Sequence, residues 1–329
     1  MSDARSTPRP PIPLQYSYYR SYIKNFGDVL SPVIVAAYTG GSVKAVPCSW
    51  PGRRLVAIGT IGHIQRFGNA MFWGTGFGSA EGDFRVARGF RRPSFTKLSA
   101  TALRGPFSAA MFSAQGLKAP SVYGDPGLLV PHLWPALRPK KCHELGVFLH
   151  VSEVTHKALD ATSKPEFHRY AVPPDLAQAV VVRNTYVPAS MVGLKAKLEE
   201  ILACKRILST GLHALVLAEA YGIPCAAFDI HAGSSGLMAP EDDTQPLDHR
   251  MRDFYAGIGA RRVPVYRTER HLATNWAAAM RFIDAHWSPH AFDASPLVEA
   301  FPADYGPIRT EPLLDGLEER LGWGRWPGG

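Results

Sequence analysis

The feature that most narrows the fold is a repeated unit: a short apolar run, a turn rich in glycine or hydroxyl residues, then a stretch of helical pattern. Residues 54–59 (RLVAIG), 70–73, 97–104, 145–150 (LGVFLH), 179–182, 206–209 and 224–228 read as short strands. Residues 28–39, 106–115, 188–204 and 212–221 read as helices between them. Pro106 suits a first helical position, and Gly40 and Gly222 suit helix ends. Short strands alternating with helices imply an α/β fold with parallel sheets. Residues 14–20 and 122–125 add two further strands, and 276–287 reads as a late helix. A chain of 329 residues has room for about two domains, and the proline-rich stretch 131–141 is the natural linker. The expected organisation is a disordered lead (1–13), an N-terminal Rossmann-like domain (14–135) and a C-terminal Rossmann-like domain (136–329). A C-terminal helix would pack back on the first domain. Two such domains face each other across a cleft, and ligands bind beyond the carboxyl ends of the strands.

Charge limits the partners. The net charge is +8, which favours anions: phosphorylated substrates, acidic lipid surfaces or nucleic acid. Arg85, Arg88, Arg91, Arg92 and Lys97 cluster, as a solvated face or an anion contact. No recognised nucleic-acid module is present. No intact G-x-G-x-x-G follows a strand, which disfavours a dehydrogenase. Cys48, Cys142, Cys204 and Cys225 form no C-x-x-C pair and read as free thiols. The polar, proline-rich start has no signal-peptide core, and no apolar run of about 18 residues occurs. The expected location is cytoplasmic, with at most peripheral contact at the inner membrane face.

Four turns carry the chemistry. In the first, Asn25, Gly27 and Asp28 open a helix; Gly27 lets a ligand approach backbone N–H groups, and Asp28 is either the helix cap or a site acid. In the second, 74–79 (GTGFGS) places Gly76 in a loop that can cradle phosphate or form a plain turn. In the third, Arg104 stands at a strand end before a helix, suited to grip a carboxylate or phosphate, or to form a surface ion pair. In the fourth, Ser209, Thr210 and His213 lie between a buried strand and a helix N-terminus. His150 ends another strand, and Asp125 closes a turn.

Taken together, these segments resemble the polysaccharide pyruvyl transferase family. The matching pieces are NFGDVLSPVIV (25–35), AIGTIGH (57–63), GTGFGS (74–79), LRGPFS (103–108), YGDPGLL (123–129), LGVFLHVSE (145–153) and ILSTGLHALVLAEAYGIP (207–224). HRMRDFYAGIG (249–259) is similar to a later, looser segment. The resemblance implies a GT-B-like pair of domains, phosphoenolpyruvate as donor, and a hexose of a polysaccharide or lipid-linked precursor as acceptor. It implies no metal and no organic cofactor; the lack of a recognised module separately argues against a nucleic-acid partner. Many family members carry Arg or Ser where this chain has Gly211, which leaves Lys205, Arg206 or Arg104 to supply a donor-binding cation.

Forming a pyruvate ketal requires an acid near the donor methylene and a base near the sugar hydroxyls. His213 is the expected acid, with His150 as second acid–base candidate, Asp28 and Asp125 as bases or orienting groups, and Arg104 holding the donor. A helix N-terminus lowers the His213 pKa, and a bound anion raises it again. Two rivals are a nucleotide-sugar glycosyltransferase of the same architecture and a non-enzymatic basic adaptor on acidic glycolipid or membrane.

Overall fold

The computed structural model describes residues 9–17, 21–78, 90–244 and 246–323. In chain order the strands are β1 (Ile12–Gln15), β2 (Ile23–Asn25), β3 (Val43–Ala45), β4 (Arg53–Val56), β5 (Gly68–Thr75), β6 (Thr96–Leu103), β7 (Leu145–Phe148), β8 (Val180–Arg183), β9 (Tyr186–Pro188), β10 (Ile207–Ser209), β11 (Cys225–Asp229), β12 (Gly236–Met238) and β13 (Val263–Arg267). The helices are α1 (Phe26–Thr39), α2 (Pro106–Ser113), α3 (Val130–Leu133), α4 (Met191–Leu202), α5 (Leu212–Ala220), α6 (His249–Gly257), α7 (Trp276–His286), α8 (Ser295–Glu299) and α9 (Leu317–Leu321).

Eleven of these strands form two sheets, and β2 and β9 pair separately. The first has the order β3-β1-β4-β5-β6 and is parallel throughout. The second has the order β12-β13-β11-β10-β7-β8 and is parallel except for the antiparallel edge strand β12. Strands 3–8 residues long, mostly buried and joined through helices, are what the alternating apolar runs require. No helix of the described residues is long and apolar enough to cross a membrane.

Helix α1 is the element around which the sheets assemble. The Asn25 side chain accepts from Gly27 N (3.0 Å), which makes Asn25 the N-cap and puts Asp28 in the first turn. Gly40 closes the helix in the left-handed region at φ 65°. Every residue from Phe26 to Tyr38 is buried, as an apolar circumference demands. One side serves the first sheet's core; the other meets α4, α5 and the 3-10 turn Pro126–Leu129. A two-stranded antiparallel ladder, β2 with β9, ties the start of α1 to the second half, and Phe26 N donates to Thr185 O (2.8 Å).

Several expected elements differ. The first strand is Ile12–Gln15, so residues 12 and 13 belong to it rather than to a disordered lead, and Tyr16 and Ser17 lie outside it; residues 1–8 and 18–20 lie outside the described residues. Residues 122–125 form no strand, only a single bridge between Leu103 and Tyr123. The stretch 131–141 begins inside α3, and Leu133 and Trp134 are buried against the core, so its first part is packed structure. Helix α7 does not cross back: Trp276, Ala279 and Ile283 pack on the second sheet's core. The return is made by the segment after it. The Trp73 indole donates to Leu297 O (2.8 Å), and Phe301 meets the same ring edge-on. Arg309 N and Leu313 N donate to Tyr38 O (2.7 Å) and Ala37 O (2.8 Å), and α9 packs on α1. Those carbonyls belong to the last turn of α1, where no intrahelical donor remains.

Candidate functional site

The ends of both sheets converge on one cavity of about 310 Å³. Gly59, Thr60 and Ile61 follow β4; His150 and Val151 follow β7; Thr185 follows β8. Gly211 to Ala214 enter α5 after β10, and Asn25 and Asp28 come from the start of α1. This is the expected position for a ligand in a parallel α/β architecture.

His213 lies at the first turn of α5 with its ring laid on the backbone of Gly27. Only glycine permits that approach, because a Cβ there would stand inside the imidazole. The buried ring nitrogen, Nε2, faces Asp125 Oδ2 at 4.0 Å. Asp125 caps the Pro126–Leu129 turn by accepting from Gly127 N through its other oxygen (2.9 Å). Burial, then the cations Arg104 and Arg250, pushes the His213 pKa down to about 3. Burial likewise pushes Asp125 up to about 6, opposed by the Gly127 N–H and Arg104. The ring is therefore neutral at pH 7.

Arg104 is fully buried one layer behind the cavity wall. Its Nη1 donates to Thr60 Oγ1 (2.6 Å), and Thr60 lines the cavity. Its Nε donates to Asp253 Oδ2 (3.0 Å) on α6. Asp253 also accepts from Ser108 N (2.9 Å) and Ser108 Oγ (2.5 Å), which locks the start of α2 to α6. Gly76 and Gly105 allow this packing: a Cβ on either would collide with the Arg104 guanidinium or the Asp253 carbonyl. Three buried polar atoms, Arg104 Nη2, Asp125 Oδ2 and His213 Nε2, have no hydrogen-bond partner among the described residues. Each of these groups lies within electrostatic reach of another of the three. Buried polar atoms left in this state are costly, and a polar ligand or water is the usual remedy.

Asp28 and His150 complete the cavity. Burial pushes Asp28 up to about 7, against the pull of Lys24, itself pushed down by burial to about 8. His150 Nε2 meets Arg250 Nη1 (2.9 Å) and Nδ1 meets Ser152 Oγ (2.8 Å). Arginine only donates, so Nε2 accepts, and the proton of the neutral ring sits on Nδ1. Burial, then Arg250, depresses this histidine to about 4. Arg250 also chelates Asp248 through Nε and Nη2. The His150–Arg250 contact separates the main cavity from a second one of about 300 Å³ over β11, lined by Thr210, Asp229, His231 and Arg270.

The expected residues thus divide. Asn25, Asp28, His150 and His213 line the cavity, and Gly27 supports it; Arg104, Gly76 and Asp125 stand directly behind. Thr210 Oγ1 accepts from His150 N (2.7 Å) and sets that turn. Ser209 Oγ is spent on the backbone, accepting from Gly211 N (3.0 Å) and donating its one proton to either Phe148 O or Gly211 O. Lys205 and Arg206 are not brought to the site. They precede β10, at the end of the strand away from the cavity, and pair with Glu144 and Asp284. Arg250 is the arginine on the cavity wall, and Asp253 is the counterion of Arg104; both come from α6 and neither was singled out in the sequence. Their signal was the spacing of Arg250, Asp253 and Gly257 on one helix, with Gly257 packed on the Arg104 carbonyl. Among the described residues, no group of three or more His, Cys, Asp or Glu could hold a metal ion.

Two parallel sheets that turn their strand ends toward one polar cavity define an α/β protein of the ligand-binding kind. A family model described as polysaccharide pyruvyl transferase matches residues 13–231, from β1 to just beyond β11. The chain belongs to the polysaccharide pyruvyl transferase family and is a transferase. No curated protein and no solved structure matches it.

Proposed function

We propose that the chain moves the pyruvyl unit of phosphoenolpyruvate onto a hexose of a polysaccharide or lipid-linked precursor, forming a pyruvate ketal and releasing phosphate. The two halves act as the facing domains of a GT-B-like enzyme. The observation that carries this reading is the buried trio Arg104 Nη2, Asp125 Oδ2 and His213 Nε2, unpartnered beside a cavity walled by Arg250 and Asp28.

A small trianion would meet Arg250 on the cavity wall and the unpartnered Nη2 of Arg104 behind it. Arg104 and Arg250 depress the His213 pKa; a carboxylate and phosphate beside them reverse that field, so the imidazole takes up a proton as the donor binds. His213 then delivers that proton to the donor methylene, which becomes the methyl group. The adjacent carbon, now oxocarbenium-like, accepts the first hydroxyl, whose proton passes to Asp28. The C–O bond to phosphate breaks, the second hydroxyl closes the ring, and its proton leaves with phosphate. Asp125 steadies Nε2–H while the ring is charged. With its pKa near 7, Asp28 is matched to moving protons in both directions. His150, held by Arg250 through Nε2, serves as a positioning residue in this reading. The reaction calls on no metal or organic cofactor.

The test is phosphate release from phosphoenolpyruvate against a panel of nitrophenyl hexosides, with a nucleotide-sugar panel alongside. His213→Ala should lower release by about 10²–10⁴-fold, the usual worth of a general acid. Donor binding, followed by calorimetry in buffers of different ionisation enthalpy, should show proton uptake. Turnover of a nucleotide sugar with no phosphate released from phosphoenolpyruvate would establish the glycosyltransferase instead.

A further inference from the structure

Two exposed phenylalanines sit side by side where the first sheet begins. Phe67 precedes β5 and Phe95 precedes β6, and the ladder starts with the next pair, Gly68 opposite Thr96. Phe67 is 51% exposed, and Phe95, at 87%, is the most exposed large apolar side chain among the described residues. Both have left-handed backbones, at φ 58° and 64°, and they are the only non-glycine residues so placed among the described residues. That conformation is disfavoured for a bulky side chain, so something must hold it. For Phe67 the holder is plain. The buried Arg54 guanidinium donates to the carbonyls of Trp50 (2.7 Å), Arg66 (3.2 Å) and Phe67 (3.0 Å), and Phe67 N donates to Thr96 Oγ1 (2.7 Å). A fully buried cation is thus spent on a surface turn whose result is a ring in solvent.

The surroundings are basic. Arg66, Arg91, Arg92 and Lys97, all within four residues of one of the two phenylalanines in sequence, are exposed, and Arg85 and Arg88 lie outside the described residues. Arg53, Asn69 and Lys97 are register partners across β4, β5 and β6, so they share one face. With Arg92 they line a groove of about 520 Å³ whose single acid, Asp304, is paired with Arg53. The sequence has the same bias: residues 1–124 hold fifteen Lys and Arg against four Asp and Glu, and the rest of the chain is slightly acidic. Protruding aromatics within a basic field match the interface of a bilayer, where rings enter the headgroup layer and cations meet phosphates.

We infer that this edge is a docking surface for an anionic lipid bilayer. Phe67 and Phe95 insert, and Arg53, Arg66, Arg92 and Lys97 contact headgroup phosphates. The edge lies at the opposite end of β5 from the cavity, roughly 25 Å away at strand rise, so the docked chain keeps its cavity clear of lipid. Peripheral location through this edge does not depend on the proposed reaction.

The experiment is sedimentation of the full chain with vesicles of phosphatidylglycerol and phosphatidylcholine, and with phosphatidylcholine alone, at low and high salt. The double variant Phe67→Asn/Phe95→Asn suits the left-handed backbone better than phenylalanine, so it should fold with an unchanged or higher Tm. Expected is salt-sensitive binding to the anionic vesicles only, weakened at least tenfold in that variant and in Arg92→Glu/Lys97→Glu. No vesicle binding, equal binding to both compositions, or wild-type binding by the double variant would overturn the inference. So would a dimer seen by light scattering that the double variant abolishes while vesicle binding persists.

Discussion

Gly27→Ala places the weight of the site on one contact. The added Cβ would stand 2.0 Å from His213 Nδ1, where an ordinary contact is about 3.5 Å, so the ring must move by about 1.5 Å or turn. Gly27 is the second residue of α1, and its backbone is helical, so alanine is favoured there by up to about 1 kcal/mol on helix propensity alone. The two effects separate by background. With His213 present, the variant should lose about 10²-fold in phosphate release, the scale expected for roughly 1 Å of misplacement at a reacting group, with little gain in Tm. In His213→Ala the clash is gone. There Gly27→Ala should raise stability by most of its propensity gain and change activity no further. Such non-additivity is the mark of two residues in contact. The assay is a double-mutant cycle, read by denaturant melts and by phosphate release. Additive losses of activity, or wild-type activity in Gly27→Ala, would show that the seat of His213 on Gly27 does not set its function.

Three further perturbations probe the charges. Asp28 is held protonated up to about pH 7 in the fold, against about 4 when unfolded, so stability from this group falls as pH rises between those values. The depressed His213 and His150 act in the opposite sense over a similar window; hence the quantity to measure is the difference, with Asp28→Asn gaining little at pH 4 and up to a few kcal/mol above pH 7 by thermal melts. Arg250→Ala removes the donor on His150 Nε2, so the His150 pKa should rise in imidazole NMR titrations while the phosphoenolpyruvate KM increases. Asp253→Ala leaves the Arg104 guanidinium buried without its counterion and should cost about 3–5 kcal/mol in chemical denaturation, far more than Asp304→Ala on the exposed Arg53 pair.

Local signals in the sequence located most of the fold. The run from Asn25 to Gly40 carries a cap, an apolar body and a left-handed terminator, and it folds as that pattern reads. Short strands followed by glycine- or hydroxyl-bearing turns located the cavity wall at His150 and His213, because strand ends in parallel sheets are where such turns gather, while Thr60 on the same wall was not singled out. What could not be read is tertiary. Residues 249–257 are rich in charge, yet Asp253 is fully buried where Arg104 reaches it from the other half of the chain. Lys205 and Arg206 lie close to His213 in sequence, but the length of β10 separates them from it in space. Tyr123 has a strand-like neighbourhood, but only one bridge forms before Asp125 turns the chain into its 3-10 segment.

The return segment at the end of the chain has a bearing on biosynthesis. The Trp73 indole and the last carbonyls of α1 find their partners at Leu297, Arg309 and Leu313, residues made long after the first sheet and α1. Until then the first sheet carries an open indole N–H, and the Ala37 and Tyr38 carbonyls beside the Gly40 cap lack these donors. The first half should therefore stay loosely ordered and exposed to proteases during synthesis, and close into its final form only once residues 297–313 have emerged.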